Sequence, residues 1–395
     1  MELRNAGRST LAASLVAFSA CGGGAVAPNG TTLSSLPNSQ KASASADARP
    51  FDSTSILKRL TKDVTIGSTV DPRNGDKGPR AISVVMTSNG KLKRNQILVC
   101  NFDDSKGNAG KGTTIEQFSP TPNSKPARFF QNSRIEGCDG DAMTGGDQVY
   151  ASGMTSGLLA LIDQSGKLKK IYGKPLTMPI ADLETPQLYD YSPEFIFAGN
   201  GDTGAVDSLS LGGYGTRHPM EIINGFPVNK GAGWNAQGPS GFAYWCGGLP
   251  GGYRCTQRHG AADTLYVADG DCNAIVAIDH VSSLLLKDEI TVGAGCKSFK
   301  CLYPTTSCGR LVKAGSPLNK PFAAAILPNG NMVVANTANN TLVELMPTGK
   351  VLATKVVDKR KTPGIWGLFA IGKGDSNTAI YYTDKNSNEL HELEE

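Results

Sequence analysis

Nine cysteines, four histidines and one close acidic pair are the groups in this 395-residue chain best suited to chemistry. The histidines, His218, His259, His280 and His391, share no motif and show no i, i+4 spacing. They read as scattered loop residues and one outer-strand residue. Cys296, Cys301 and Cys308 cluster in sequence. Zinc ligands usually come as close pairs two to four residues apart, and no histidine lies beside this trio, so disulfides are the better use of it. Asp139-Gly140-Asp141 begins like a calcium loop, but the remaining ligand positions are missing, and it reads as an acidic turn. There is no Gly-x-Ser-x-Gly elbow. Gly212-Gly213 and Gly247-Gly248 precede no helix, so they read as loops rather than phosphate cradles. Neither a metal nor another cofactor is expected.

Composition bounds the partners. Hydrophobic residues make up 39% and charged residues 19%, enough apolar content for a core and too little charge for a disordered chain. The net charge of +4 is thinly spread and gives no support for nucleic-acid binding. With 47 glycines and 22 prolines the chain is turn-rich, which suits short strands.

The first residues read as a targeting segment. Arg4 and Arg8 precede the short uncharged run Thr10 to Ala20, well below the roughly 20 residues needed to span a bilayer. Phe18-Ser19-Ala20-Cys21 resembles the end of a bacterial lipoprotein signal. That resemblance implies a signal peptide over 1–20, with Cys21 lipidated. Residues 21–50 are mainly Gly, Ala, Ser, Pro, Asn and Thr and cannot offset their ordering entropy by burial. They form a tether with a reach on the order of 30 Å. Gly22 is not the Asp that resembles an inner-membrane retention signal. The expected location is the bacterial cell envelope, at the outer membrane if the source is Gram-negative. The membrane would be met by lipid anchor only.

The positioning elements follow from repeats. Tyr266-Val267-Ala268-Asp269 runs on to Asn273, Ile275 and Ile278. Val333-Val334-Ala335-Asn336 runs on to Asn340, Leu342 and Leu345, and Tyr381-Tyr382-Thr383-Asp384 to Asn388, Leu390 and Leu393. Each reads as strand, tight turn, strand, with Asx side chains bonding the turn and Asn tolerating a left-handed backbone. Weaker copies end at Asn101, Gly153 and Asn200. The short spacings between copies match a four-stranded propeller blade of roughly 40–50 residues. A further strand precedes most copies, beginning at Pro79, Pro239, Pro321 and Pro363.

Tyr-Val-Ala-Asp and Val-Ala-Asn-Thr-Ala-Asn-Asn-Thr-Leu resemble NHL repeats. The wider pattern resembles bacterial secreted NHL-type six-bladed β-propellers. The expected fold is therefore all-β, with one six-bladed ring over 51–395. The sixth copy stops before a fourth strand, so part of 55–70 is expected to pair there and close the ring.

With Cys21 set aside, eight cysteines remain for disulfides in an oxidising compartment. Blade topology favours Cys100–Cys138 and Cys246–Cys255. Cys272 is expected to pair with one of Cys296, Cys301 and Cys308, and the other two with each other. The trio is assigned to an insertion between blades four and five.

Six-bladed lactonases hold a central metal with Glu, Asn and Asp side chains from their inner strands. Here the inner-strand starts are read as Arg80, Asp141, Gln187, Phe242, Phe322 and Trp366. One carboxylate in that set argues against such chemistry. Two functions remain. The first is a tethered, monomeric binding module for a protein, peptide or small-molecule ligand, with Arg80, Asp141, Phe322 and Trp366 at the funnel. The second is a hydrolase or lyase with a central metal-dependent site.

Overall fold

The residue four beyond five of the six repeat anchors decides the turn. Asn273, Asn340 and Asn388 have φ of 53°, 50° and 57°, and Gly157 and Gly204 have 64° and 69°. All five are left-handed, where Asn and Gly pay least. These turns join the strands of a six-bladed propeller. The computed structural model describes residues 53–144, 148–173, 195–211, 218–229, 233, 237–245, 263–372 and 375–395.

The first strand, β1 (Lys62–Ser68), is taken up last. Blade one is β2 (Lys77–Val84), β3 (Ile97–Asp103), β4 (Thr114–Phe118) and β5 (Ala127–Gln131). Blade two is β6 (Cys138–Met143), β7 (Val149–Gly153), β8 (Leu158–Ile162) and β9 (Leu168–Gly173). Blade three shows β10 (Phe195–Asn200), β11 (Ala205–Ser210) and β12 (Met220–Asn224). Blade four begins with β13 (Pro239–Trp245), β14 (Thr264–Asp269) and β15 (Ala274–Asp279). The short hairpin β16 (Ile290–Val292) and β17 (Phe299–Cys301) comes next, and then β18 (Cys308–Ala314) pairs with β15. Blade five is β19 (Pro321–Ile326), β20 (Met332–Asn336), β21 (Thr341–Leu345) and β22 (Val351–Val356). Blade six is β23 (Ile365–Ile371), β24 (Ala379–Asp384) and β25 (Glu389–Glu394), with β1 as its outer strand.

Six apolar clusters lie among the described residues, one between each pair of successive blades. Tyr266 and Ala268 of blade four, for example, pack with Ala324, Met332 and Val334 of blade five. Six interfaces between six blades mean that the ring is closed. Burial on both sheet faces explains strands such as Ile97–Asp103, in which every residue is buried. β1 makes the closure by pairing antiparallel with β25, Lys62 opposite Glu394 and Ser68 opposite Glu389.

The cysteine trio corrects one sequence expectation. Cys308 opens β18, the outer strand of blade four, so the insertion lies within that blade, between its third and fourth strands. The hairpin it carries adds to the neighbouring blade, β16 pairing parallel with β12. Disulfides join Cys272 to Cys296 and Cys301 to Cys308, one at each end of the hairpin. Cys100–Cys138 ties blade one to blade two. Cys246 and Cys255 lie outside the described residues, as does Cys21. Three disulfides fit an oxidising, extracytoplasmic compartment.

The left-handed asparagines also set the next blade. Asn273 donates to Leu318 O and accepts from Lys320 N, just before β19. Asn340 donates to Asp358, Arg360 O and Thr362 O and accepts from Gly364 N, just before β23. Asn388 accepts from Gly78 N in β2. Asn340→Ala removes the partner of the buried Gly364 N–H and one donor to the buried Asp358, and is expected to cost roughly 1–3 kcal/mol. Urea unfolding measures this, and a loss near zero would deny the clamp.

Candidate functional site

Five of the six first strands are described, and each breaks register at its start. The breaks fall between Pro79 and Ile82, Cys138 and Gly140, Pro239 and Gly241, Pro321 and Ala323, and Ile365 and Leu368. A bulge leaves a residue out of the ladder and re-aims its side chain. Here those residues are Arg80, Asp139, Ser240, Phe322 and Trp366. Each is followed by Ala or Gly. The reason is close approach: a Cβ on Gly241 would sit 2.3 Å from Phe322 O, and one on Gly367 2.1 Å from Arg80 O.

Three of the re-aimed side chains, Asp139, Phe322 and Trp366, converge on Arg80. Its Nη1 donates to Asp139 Oδ1 at 2.9 Å. Its guanidinium lies 3.5 Å from the Phe102 ring centre, 4.1 Å from that of Trp366 and 5.9 Å from that of Phe322. Trp366 and Phe322 meet edge to face at 4.8 Å. Ser240 Oγ donates to Phe322 O at 3.1 Å. None of these five is more than 2% exposed. Cation–π contact and one carboxylate thus hold a charge that would be costly if buried alone. Burial pushes the Asp139 carboxyl up against the pull of Arg80. Lys385 caps the cluster and pairs with Asp103 at 2.8 Å. Burial, then the Arg80 charge, lowers its ammonium below the usual lysine range.

Sequence reasoning places Arg80, Phe322 and Trp366 here, and the structure brings them together. Asp141 lies elsewhere: it accepts from Ser83 Oγ at 2.7 Å, and burial pushes its carboxyl up to about 7. Phe242 packs in the core between blades three and four. Gln187 lies outside the described residues. Asp139 and Ser240 were missed as axial residues, each two positions early. The signal for them is the recurring Pro, Cys or Ile, then any residue, then Ala or Gly.

Among the described residues, one group of three metal-ligating side chains converges, Asp269, Cys272 and Cys296. Its cysteines are joined to each other, so it offers one carboxylate. Asp269 instead accepts from Cys272 N in its turn.

Buried carboxyls make stability pH-dependent. Burial raises Glu116 to about 9, helped by the neighbouring Asp71, raises Asp269 to about 8, and raises Asp207 to about 7. With Asp141, these groups hold protons that the unfolded chain releases near 4. Their stabilisation is complete below that value and is lost as pH rises through 7 to 9. Asp71 works in reverse: its burial is overridden by Arg128, its carboxyl is lowered, and its contribution is lost in acid. The melting temperature is expected to be higher at pH 5 than at pH 9; a flat or rising profile would refute the assignment.

No protein-family model and no curated protein matches the chain. Solved structures are similar at low identity. A putative gluconolactonase is 12% identical with a TM-score of 0.50, over 84% of this chain and 91% of its own. An inactive variant of virginiamycin B lyase from Staphylococcus aureus, solved with quinupristin, is 12% identical with a TM-score of 0.46, over 84% of each chain. A streptogramin B lyase is 10% identical with a TM-score of 0.44, over 84% of this chain and 96% of its own. The likeness shows the propeller fold alone.

Proposed function

We propose that the chain is an NHL-type propeller tethered in the bacterial envelope through a lipidated Cys21, acting as a monomeric binding module for a protein, peptide or small molecule. The observation that carries the binding reading is the axis. Among the described residues, its bulged positions supply one buried cation, aromatic faces and a single carboxylate, whose Oδ1 is engaged by Arg80. A metal-assisted hydrolase needs several open oxygen ligands instead. Recognition then falls to the mouth around Lys385 and to loops held by the rigid ring. Arg80, Phe322 and Trp366 shape the floor of that mouth, while Asp141 is bonded to Ser83 away from it.

The test is a turnover assay of the native protein on lactones, cyclic esters and cyclic peptides. The binding reading expects no turnover above heat-unfolded protein. Turnover lost on Arg80→Met would establish the hydrolase or lyase reading.

A further inference from the structure

The two faces of the ring differ in a way the binding reading does not use. In each blade the connections from first to second and from third to fourth strand lie on one face. On that face Leu285 and Leu286 are 62% and 50% exposed, and Leu302 and Tyr303 are 55% and 50% exposed. They form one group: Leu285 N and Leu286 N donate to Glu289 Oε1, and Leu302 N donates to Glu289 O. The Cys301–Cys308 disulfide holds the base of this insertion. Exposed apolar groups on a rigid support mark interaction surfaces.

The same face carries a set of exposed cations. Lys91, Lys93 and Arg94 are exposed on the first connection of blade one. Lys167, Lys287 and Lys350 are exposed on the third connections of blades two, four and five. Its acidic groups have cationic or hydrogen-bonding neighbours: Glu394 and Glu395, at the end of β25, lie beside Lys62 and Arg59. Asp163 accepts from Ser165 and Lys167 N, Asp279 from Arg310, and Asp288 from Asn224. The chain also joins the ring here: Asn329, in the first turn of blade five, donates to Thr54 O, and Ser55 Oγ to Glu344.

We propose that this face docks on an anionic phospholipid surface, with Leu285, Leu286, Leu302 and Tyr303 entering the headgroup layer and the cations meeting lipid phosphates. Apolar anchors ringed by Lys and Arg are the chemistry of interfacial membrane binding. Thr54 and Ser55, at the start of the described chain, lie at this face. The proposal rests on the tether reading for the compartment, and it leaves the axial mouth directed away from the bilayer.

The test uses the full chain carrying Cys21→Ser, which removes any acyl group, in co-sedimentation with vesicles. Binding is expected to vesicles containing phosphatidylglycerol, and to be weaker on pure phosphatidylcholine and in high salt. Leu286→Ser with Leu302→Ser should weaken binding by about tenfold or more. Charge reversal at Lys91, Lys93 and Arg94 should weaken it by roughly a hundredfold. Light scattering on the same variants reads the other occupant. A dimer that Leu286→Ser with Leu302→Ser dissolves, without vesicle binding, would overturn the proposal in favour of a second copy. Absence of vesicle binding, or binding indifferent to both sets, would also overturn it. Detergent partitioning of the unaltered chain against Cys21→Ser reads the tether separately.

Discussion

Deleting residues 53–68 is expected to abolish the folded monomer. The segment supplies β1, the outer strand of blade six. It also buries Ile56, Leu57, Leu60 and Ile66 completely. At about 1.5–3 kcal/mol each, these four side chains contribute on the order of 6–12 kcal/mol. That is comparable to the whole stability of a typical domain, about 5–15 kcal/mol. The loss extends to polar groups, because Glu344 is buried and accepts from Ser55 Oγ, Ile56 N and Leu57 N. Without them its carboxylate keeps the bond from Asn331 Nδ2 and loses these three. Tyr382 Oη would likewise lose Asp63. The exposed edge of β25 would then be free to pair with another chain. Circular dichroism and light scattering of the truncated protein should report unfolded or oligomeric material. A truncated monomer with an unchanged melting temperature would contradict closure by β1.

The Arg80–Asp139 pair carries the second large effect. Asp139→Ala leaves the guanidinium between Phe102 and Trp366 with its carboxylate gone, a change expected to cost about 3–5 kcal/mol. Arg80→Met should cost less. Burial already raises the Asp139 carboxyl, so it can take up a proton, whereas arginine cannot lose one. The Arg80→Met loss should therefore grow as pH rises. Combining the two should recover part of the sum, with a coupling above about 1 kcal/mol in urea unfolding. Strict additivity would show that the two charges do not depend on each other.

Architecture was legible where a residue type is tied to a backbone state. The asparagines four positions beyond the anchors signalled left-handed turns, and Asn273, Asn340 and Asn388 adopt them. Their second task, clamping the following blade, left no trace in sequence because their partners are backbone groups far along the chain. The missing fourth strand of blade six pointed to closure, since a propeller must bury its last edge.

Two features were misread for physical reasons. Cys308–Ala314 is a half-exposed outer strand without an Asx turn, so nothing in it announced that blade four was still unfinished. The axial residues of blades two and four were displaced because a bulge interrupts the period-two alternation on which strand reading rests. Asp139 therefore reaches Arg80, while Asp141 turns to Ser83.

Among the described residues the axis is a packed cation and aromatic cluster. Elemental analysis of the purified full chain, with melting temperatures before and after chelation, tests it most directly. Substoichiometric metal and a melting temperature that EDTA leaves unchanged are expected. One tightly held calcium or zinc per chain, whose removal lowers the melting temperature, would contradict it.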